Sequence, residues 1–208
     1  MAEKYTIALK LPQSYYLGTD VVAIRKDLLG KYLFTCIDGL ITGGYIVETE
    51  AYNGAVDKAS HAYGNRLTPR TKIMFEEGGI AYIYLCYGIH EMLNVVTSTE
   101  GHAQAILIRA IEPTEGIESI LLRRGMDKLK PNITAGPGSV AKALGINRKL
   151  NGISLQSDSL WIEDRGLNFT DAQIAAVPRI GVAYAGQDAL LPYRFYVKGN
   201  IYVSKPNK

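Results

Sequence analysis

The chain has 208 residues, 47% hydrophobic and 21% charged, a composition that excludes a disordered polymer and suffices for one core without a disulfide or metal staple. Two cysteines (Cys36 and Cys86) and three scattered histidines exclude a disulfide framework and a metal-ligand cluster, no run approaches 18 apolar residues, and the N-terminus lacks the apolar core of a secretion signal. The formal charge of +3 is small but uneven: residues 123–149 carry seven Lys/Arg against Asp127 alone, a stretch that either tracks phosphates or is a solvated helix face.

The elements read in chain order as follows. Residues 20–30 predict a short amphipathic helix, with Asp20 as its cap, Val21, Ile24 and Leu28 on one face, and Gly30 ending it. Strands are expected at 31–37 and 43–52, joined by a turn at Asp38-Gly39. Residues 53–79 read as loop with one short helical piece near Asp57–His61. Residues 80–86 and 91–98 predict a hairpin closed by a four-residue turn, Tyr87-Gly88-Ile89-His90. A strand at 104–111 and a helix over 114–126 follow, and Ala135–Ser139 leads into a short helix closed by Gly145. Strands are expected again at 158–163 and 194–203. Strands dominate without regular βαβ alternation, so the fold class is α+β, one domain built on a mostly antiparallel sheet.

Three features bear on chemistry. In Glu48-Thr49-Glu50-Ala51-Tyr52, period-two geometry puts Ile46, Glu48, Glu50 and Tyr52 on one strand face, so two carboxylates and a phenol project together. Such carboxylates either have perturbed pKa values or bind Arg or backbone amides. Second, six of the fourteen tyrosines lie between Tyr45 and Tyr87, and Tyr87 occupies the hairpin turn beside Gly88 and Ile89. An aromatic there serves as a wedge between base steps or packs beneath a loop of its own domain. Third, Gly136-Pro137-Gly138-Ser139 precedes a helix inside the basic stretch, a place where free N–H groups suit an anion.

The segments YIVETEAY (45–52), His61, NRLTPR (65–70), YIYLCYG (82–88), LNVV (93–96), ILIRAIEP (106–113), AGPG (135–138), PRIGV (178–182) and RFYVKGN (194–200) resemble the alkyladenine (3-methyladenine) DNA glycosylase family over about residues 14–203. The resemblance implies a curved sheet with surrounding helices and a protruding hairpin, preceded by a flexible segment over residues 1–13. It also implies an intracellular, monomeric base-excision repair enzyme that acts on double-stranded DNA containing a damaged purine, without cofactor or metal. By the same resemblance Glu50 is the general base and Arg109 helps hold the water and the flipped nucleotide. Tyr52, His61 and Tyr84 wall the base pocket, and Asn94 crowds a purine 2-amino group. Tyr87 intercalates with Ile89 beside it. Arg66, Thr68, Arg70, Gly136, Gly138 and Ser139 hold phosphates. One departure stands out: relatives often carry a lysine where this chain has Ser139, so one phosphate-binding charge is missing unless Lys142 supplies it.

Overall fold

The computed structural model describes residues 10–18 and 20–204. Helix α1 (Val21–Asp27) begins where Asp20 accepts from the Val22 and Ala23 amides, so the cap side chain satisfies two N–H groups that no helical carbonyl can reach. Strands β1 (Tyr32–Ile37) and β2 (Leu40–Asn53) form a two-residue hairpin in which Asp38 (φ 54°) and Gly39 (φ 76°) both adopt positive φ. Strands β3 (Ala81–Cys86), β4 (His90–Thr97) and β5 (Gln104–Glu115) make an antiparallel meander. Helices α2 (Ile117–Arg124) and α3 (Pro137–Leu144) follow, then β6 (Leu160–Glu163), β7 (Ile174–Val177) and β8 (Arg194–Val197).

These strands form one antiparallel sheet ordered β3-β4-β5-β2-β1-β6, with β8 added to β2 and β7 to β8. The long β2 organises it. Its first half pairs with β1, whereas Glu48–Glu50 pair with β8, and β5 runs along its other edge from Gly43 to Asn53. Changing partners midway curls the sheet, and the change falls where the two glutamates lie. The main core of Ile46, Val47, Leu93, Val95, Ile106 and Ile108 continues into α3 through Val140 and Leu144. Burying such side chains is worth about 1.5–3 kcal/mol each. A smaller cluster of Ala62, Met74, Tyr82, Val96 and Ala105 underlies the β3–β4 region.

The α+β class, the curved antiparallel sheet and the hairpin agree with the expected architecture. Several local expectations do not. Residues 57–61 form turns, flanked by short 3₁₀ segments at Gly54–Val56 and Tyr63–Asn65, because Asp57 spends its carboxylate on nearby amides and on Arg179. The β3–β4 loop has three residues, since Cys86 pairs with His90. Helix α3 starts at Pro137, so Gly138 and Ser139 lie inside its first turn. The last strand stops at Val197, and β7 is a strand beyond those the sequence pattern predicts. Of the segment expected to be flexible, residues 1–9 lie outside the described residues, whereas Lys10 bridges to Glu163 and Leu11 is buried. No helix among the described residues is long and apolar enough to cross a membrane.

Candidate active site

The β2 alternation carries Glu48, Glu50 and Tyr52 to one face, while the β2–β5 ladder is irregular at Glu48. Glu48 pairs with Ala110 and Thr49 with Ile108, so Arg109 is the extra residue at this irregularity, and its side chain reaches Glu48. Both carboxylates are fully buried, which is tolerable only because every charge is paired. Glu48 Oε1 accepts from Arg109 Nε (3.0 Å), Arg194 Nε (2.6 Å) and the Ser204 hydroxyl (2.9 Å), and its Oε2 accepts from the Ser204 amide (2.7 Å). Glu50 Oε2 accepts from Arg109 Nη1 (3.2 Å) and the Tyr52 hydroxyl (3.0 Å), and its Oε1 accepts from the Ile180 amide (2.8 Å). Burial pushes the Glu50 carboxyl up from its ordinary value, against the pull of Arg109 and its hydrogen-bond donors. Two carboxylates and two guanidiniums thus form a cluster of no net formal charge.

Tyr52 links this cluster to a cavity. Its ring lines a pocket with Ala59, His61, Met74, Tyr82, Tyr84, Asn94, Ala105 and Tyr184. Behind it lies the Arg179 guanidinium, 4.9 Å from the ring centroid, held by Asp57 and the Ala51 carbonyl. His61 and Tyr84 meet edge to face at 4.7 Å. His61 Nδ1 lies 2.8 Å from the Tyr82 hydroxyl, and Arg70 Nη2 lies 3.2 Å from His61 Nε2. A guanidinium only donates, so Nε2 accepts, and the neutral ring carries its proton on Nδ1 and donates to Tyr82. Burial, assisted by Arg70, lowers the His61 pKa to about 4. Asn94 is buried opposite Tyr82, with its amide nitrogen donating to the Tyr82 and Met92 carbonyls.

The cavity opens into a groove lined by Arg70, Tyr84, Cys86, Tyr87, Arg109, Pro137 and Ile180–Val182. The hairpin tip stands at its edge, with Tyr87 88% and Ile89 73% exposed. Tyr87 has φ 51° and Gly88 φ 74°, so a non-glycine residue is held in the left-handed region to present its ring. The start of α3 abuts the hairpin, since a Cβ on Gly138 would come within 2.9 Å of the His90 ring.

The structure therefore brings Glu50, Arg109, Tyr52, His61, Tyr84 and Asn94 together, with Tyr87 and Pro137 lining the adjoining groove, Ile89 exposed on the same hairpin tip and Gly138 packed against His90. Of the 66–70 segment, Arg70 also lines this groove. The Thr68 amide and hydroxyl are both engaged with Thr71, Arg66 lies in an adjoining cleft, and the Arg70 guanidinium sits 4.7 Å from the Tyr84 ring centroid. Arg194, Ser204, Arg179, Tyr82 and the Ile180 amide also hold this site, and no short-range sequence pattern marks them. The PRIGV and RFYVKGN segments pointed to their neighbourhood but not to their contacts.

Comparison with known proteins places the chain among relatives. The family model described as methylpurine-DNA glycosylase (MPG) matches residues 15–201. A protein of Bacillus cereus (strain G9842) named "Putative 3-methyladenine DNA glycosylase" is 46% identical over 206 residues, covering 95% of this chain and all of the relative. A protein of the same name from Bacillus thuringiensis (strain Al Hakam) is 45% identical over 205 residues, with the same coverage. These matches define a DNA glycosylase, a hydrolase of N-glycosyl bonds. The chain belongs to the methylpurine-DNA glycosylase family.

Proposed function

We propose that this glycosylase flips an alkylated or deaminated purine out of duplex DNA and hydrolyses its N-glycosidic bond with a water activated by Glu50, leaving an abasic site. The observation that carries the reading is the placement of Glu50: a carboxylate held by three donors, one of which, Tyr52, is itself a wall of the aromatic cavity. A purine in that cavity sets its sugar carbon beside the carboxylate. Glu50 takes a proton from the water as its oxygen bonds to C1′, while the C1′–N bond breaks and its electron pair leaves with the base. The transition state resembles an oxocarbenium ion, so the same anion stabilises the positive sugar. Arg109 holds Glu50 in place and reaches the groove.

Tyr52, His61 and Tyr84 supply stacking surfaces, and Asn94 limits space on the purine edge. Tyr87 fills the gap left in the duplex, with Ile89 beside it. Arg66, Thr68, Arg70 and the Gly136, Gly138 and Ser139 backbone would fix the phosphates without reading sequence. A single chain provides every one of these groups, so the working unit is the monomer.

The test is abasic-site formation in duplex DNA carrying hypoxanthine or 7-methylguanine. Site-specific abasic product is the expected result. Tight binding without product would leave a damage-binding protein, and equal activity on free nucleosides would leave a nucleoside hydrolase.

A further inference from the structure

Arg70 sits where a purely phosphate-binding side chain has no reason to be. Its guanidinium rests on the Tyr84 ring at 4.7 Å and donates to His61 Nε2, so it is applied to two walls of the cavity at once. Among the described residues it makes no ion pair with a carboxylate. The charges deeper in the site cancel: Glu48 and Glu50 against Arg109 and Arg194, and Asp57 against Arg179. The adjoining cleft, lined by Lys58, His61, Tyr63, Arg66, Arg70 and Tyr184 among others, includes no carboxylate. Arg70 is therefore an uncompensated positive charge at the cavity's mouth.

This placement affects which bases stack well. A cationic ligand gains from an aromatic wall through the negative face of the ring. Tyr84 already has a cation against it, and a second positive charge nearby meets direct repulsion. His61, kept neutral with Nε2 engaged by Arg70, offers no anion in return. A neutral modified purine meets no such repulsion, and its carbonyl oxygen or ring nitrogen can accept from the Arg70 fork.

Resting on the reading of this cavity as a damaged-purine pocket, we propose that Arg70 is a specificity-determining residue that biases the enzyme toward neutral modified purines over permanently cationic alkylpurines. Its charge, not its bulk, carries the effect.

The experiment compares single-turnover excision of 7-methylguanine, a cation, and hypoxanthine, a neutral base, from otherwise identical duplexes under saturating enzyme. For Arg70→Gln the ratio of cationic to neutral rates should rise about three- to fivefold, the size of one exposed cation–π contact. Arg70→Lys, which retains a cation, should stay within about twofold of the parent ratio. A loss of phosphate contact slows both lesions together and cancels in the ratio. An Arg70→Gln ratio within twofold of the parent overturns the proposal while leaving the glycosylase intact. A parent enzyme that excises 7-methylguanine but leaves hypoxanthine uncut overturns it as well. Absence of abasic product from either lesion in the parent would overturn the glycosylase reading and this inference with it.

Discussion

The Tyr52 hydroxyl donates to Glu50 Oε2 across 3.0 Å from two residues along the same strand. Burial raises the Tyr52 pKa well above its ordinary value, with Glu50 adding to the effect, so the phenol stays protonated and can only donate to the anion. Successive same-face positions on one strand thus carry a carboxylate and a stacking surface. Their spacing is fixed by the pleat and by the Arg179 guanidinium behind the ring.

Glu50→Gln should lower the single-turnover excision rate by at least ~10²-fold, within the usual range for losing a general base. Glutamine has the same shape but cannot take the proton from water. Its NH₂ group would also confront donors from Arg109, Tyr52 and Ile180. A loss smaller than about threefold would remove Glu50 from the chemistry.

Glu48→Ala should damage stability before chemistry. Its carboxylate accepts from Arg109, Arg194 and Ser204, and the variant leaves two buried guanidiniums without their shared anion. Removing one partner of a buried ion pair typically costs about 3–5 kcal/mol. Urea unfolding should show that loss in the midpoint. A change below about 1 kcal/mol would mean that the arginines find other partners.

Tyr87→Gly should separate folding from DNA engagement. The ring is 88% exposed and its backbone sits at φ 51°, a region that costs glycine nothing, so stability should hold or rise slightly. Tyr87→Ser should lower the yield of flipped, bound DNA more than it slows cleavage of an already flipped substrate. Fluorescence of a base analogue beside the lesion measures the first, and single-turnover cleavage of a lesion in a bulge measures the second. Equal effects on both would contradict a wedge.

Some of this site is legible in short-range patterns and some is not. The shared face of Glu48, Glu50 and Tyr52 follows from strand periodicity, and the hairpin tip follows from Gly88 between two strand-like runs. Arg109 is not marked by periodicity and enters only through the resemblance of ILIRAIEP to the family. What such patterns do not contain is chain closure. The Glu48–Ser204 contact spans 156 positions and the Asp57–Arg179 pair spans 122, so these partners meet only once β8 has joined β2. Strand β7, Ile-Ala-Ala-Val, is too short and too alanine-rich to announce itself. Likewise Tyr82 reads as one more packing aromatic until His61 is placed against its hydroxyl.

His61 should make the fold sensitive to mild acid. Its pKa falls from 6.5 to about 4, first through burial and then through the neighbouring Arg70, so the unfolded chain binds a proton that the folded one refuses. The stability contribution of the neutral ring is therefore fully present above pH 6.5 and is lost as pH falls from 6.5 toward 4. Glu50 works in the opposite sense, because a carboxyl whose pKa is raised by burial favours the folded state when protonated. Comparing the parent with His61→Asn isolates the imidazole from that background. The difference in unfolding free energy between the two proteins should shrink by about 2 kcal/mol between pH 7.5 and 4.5, as measured by urea titration. A difference that does not change with pH would show that the ring is free to charge in the folded protein, and that Arg70 does not hold its Nε2 in the acceptor role.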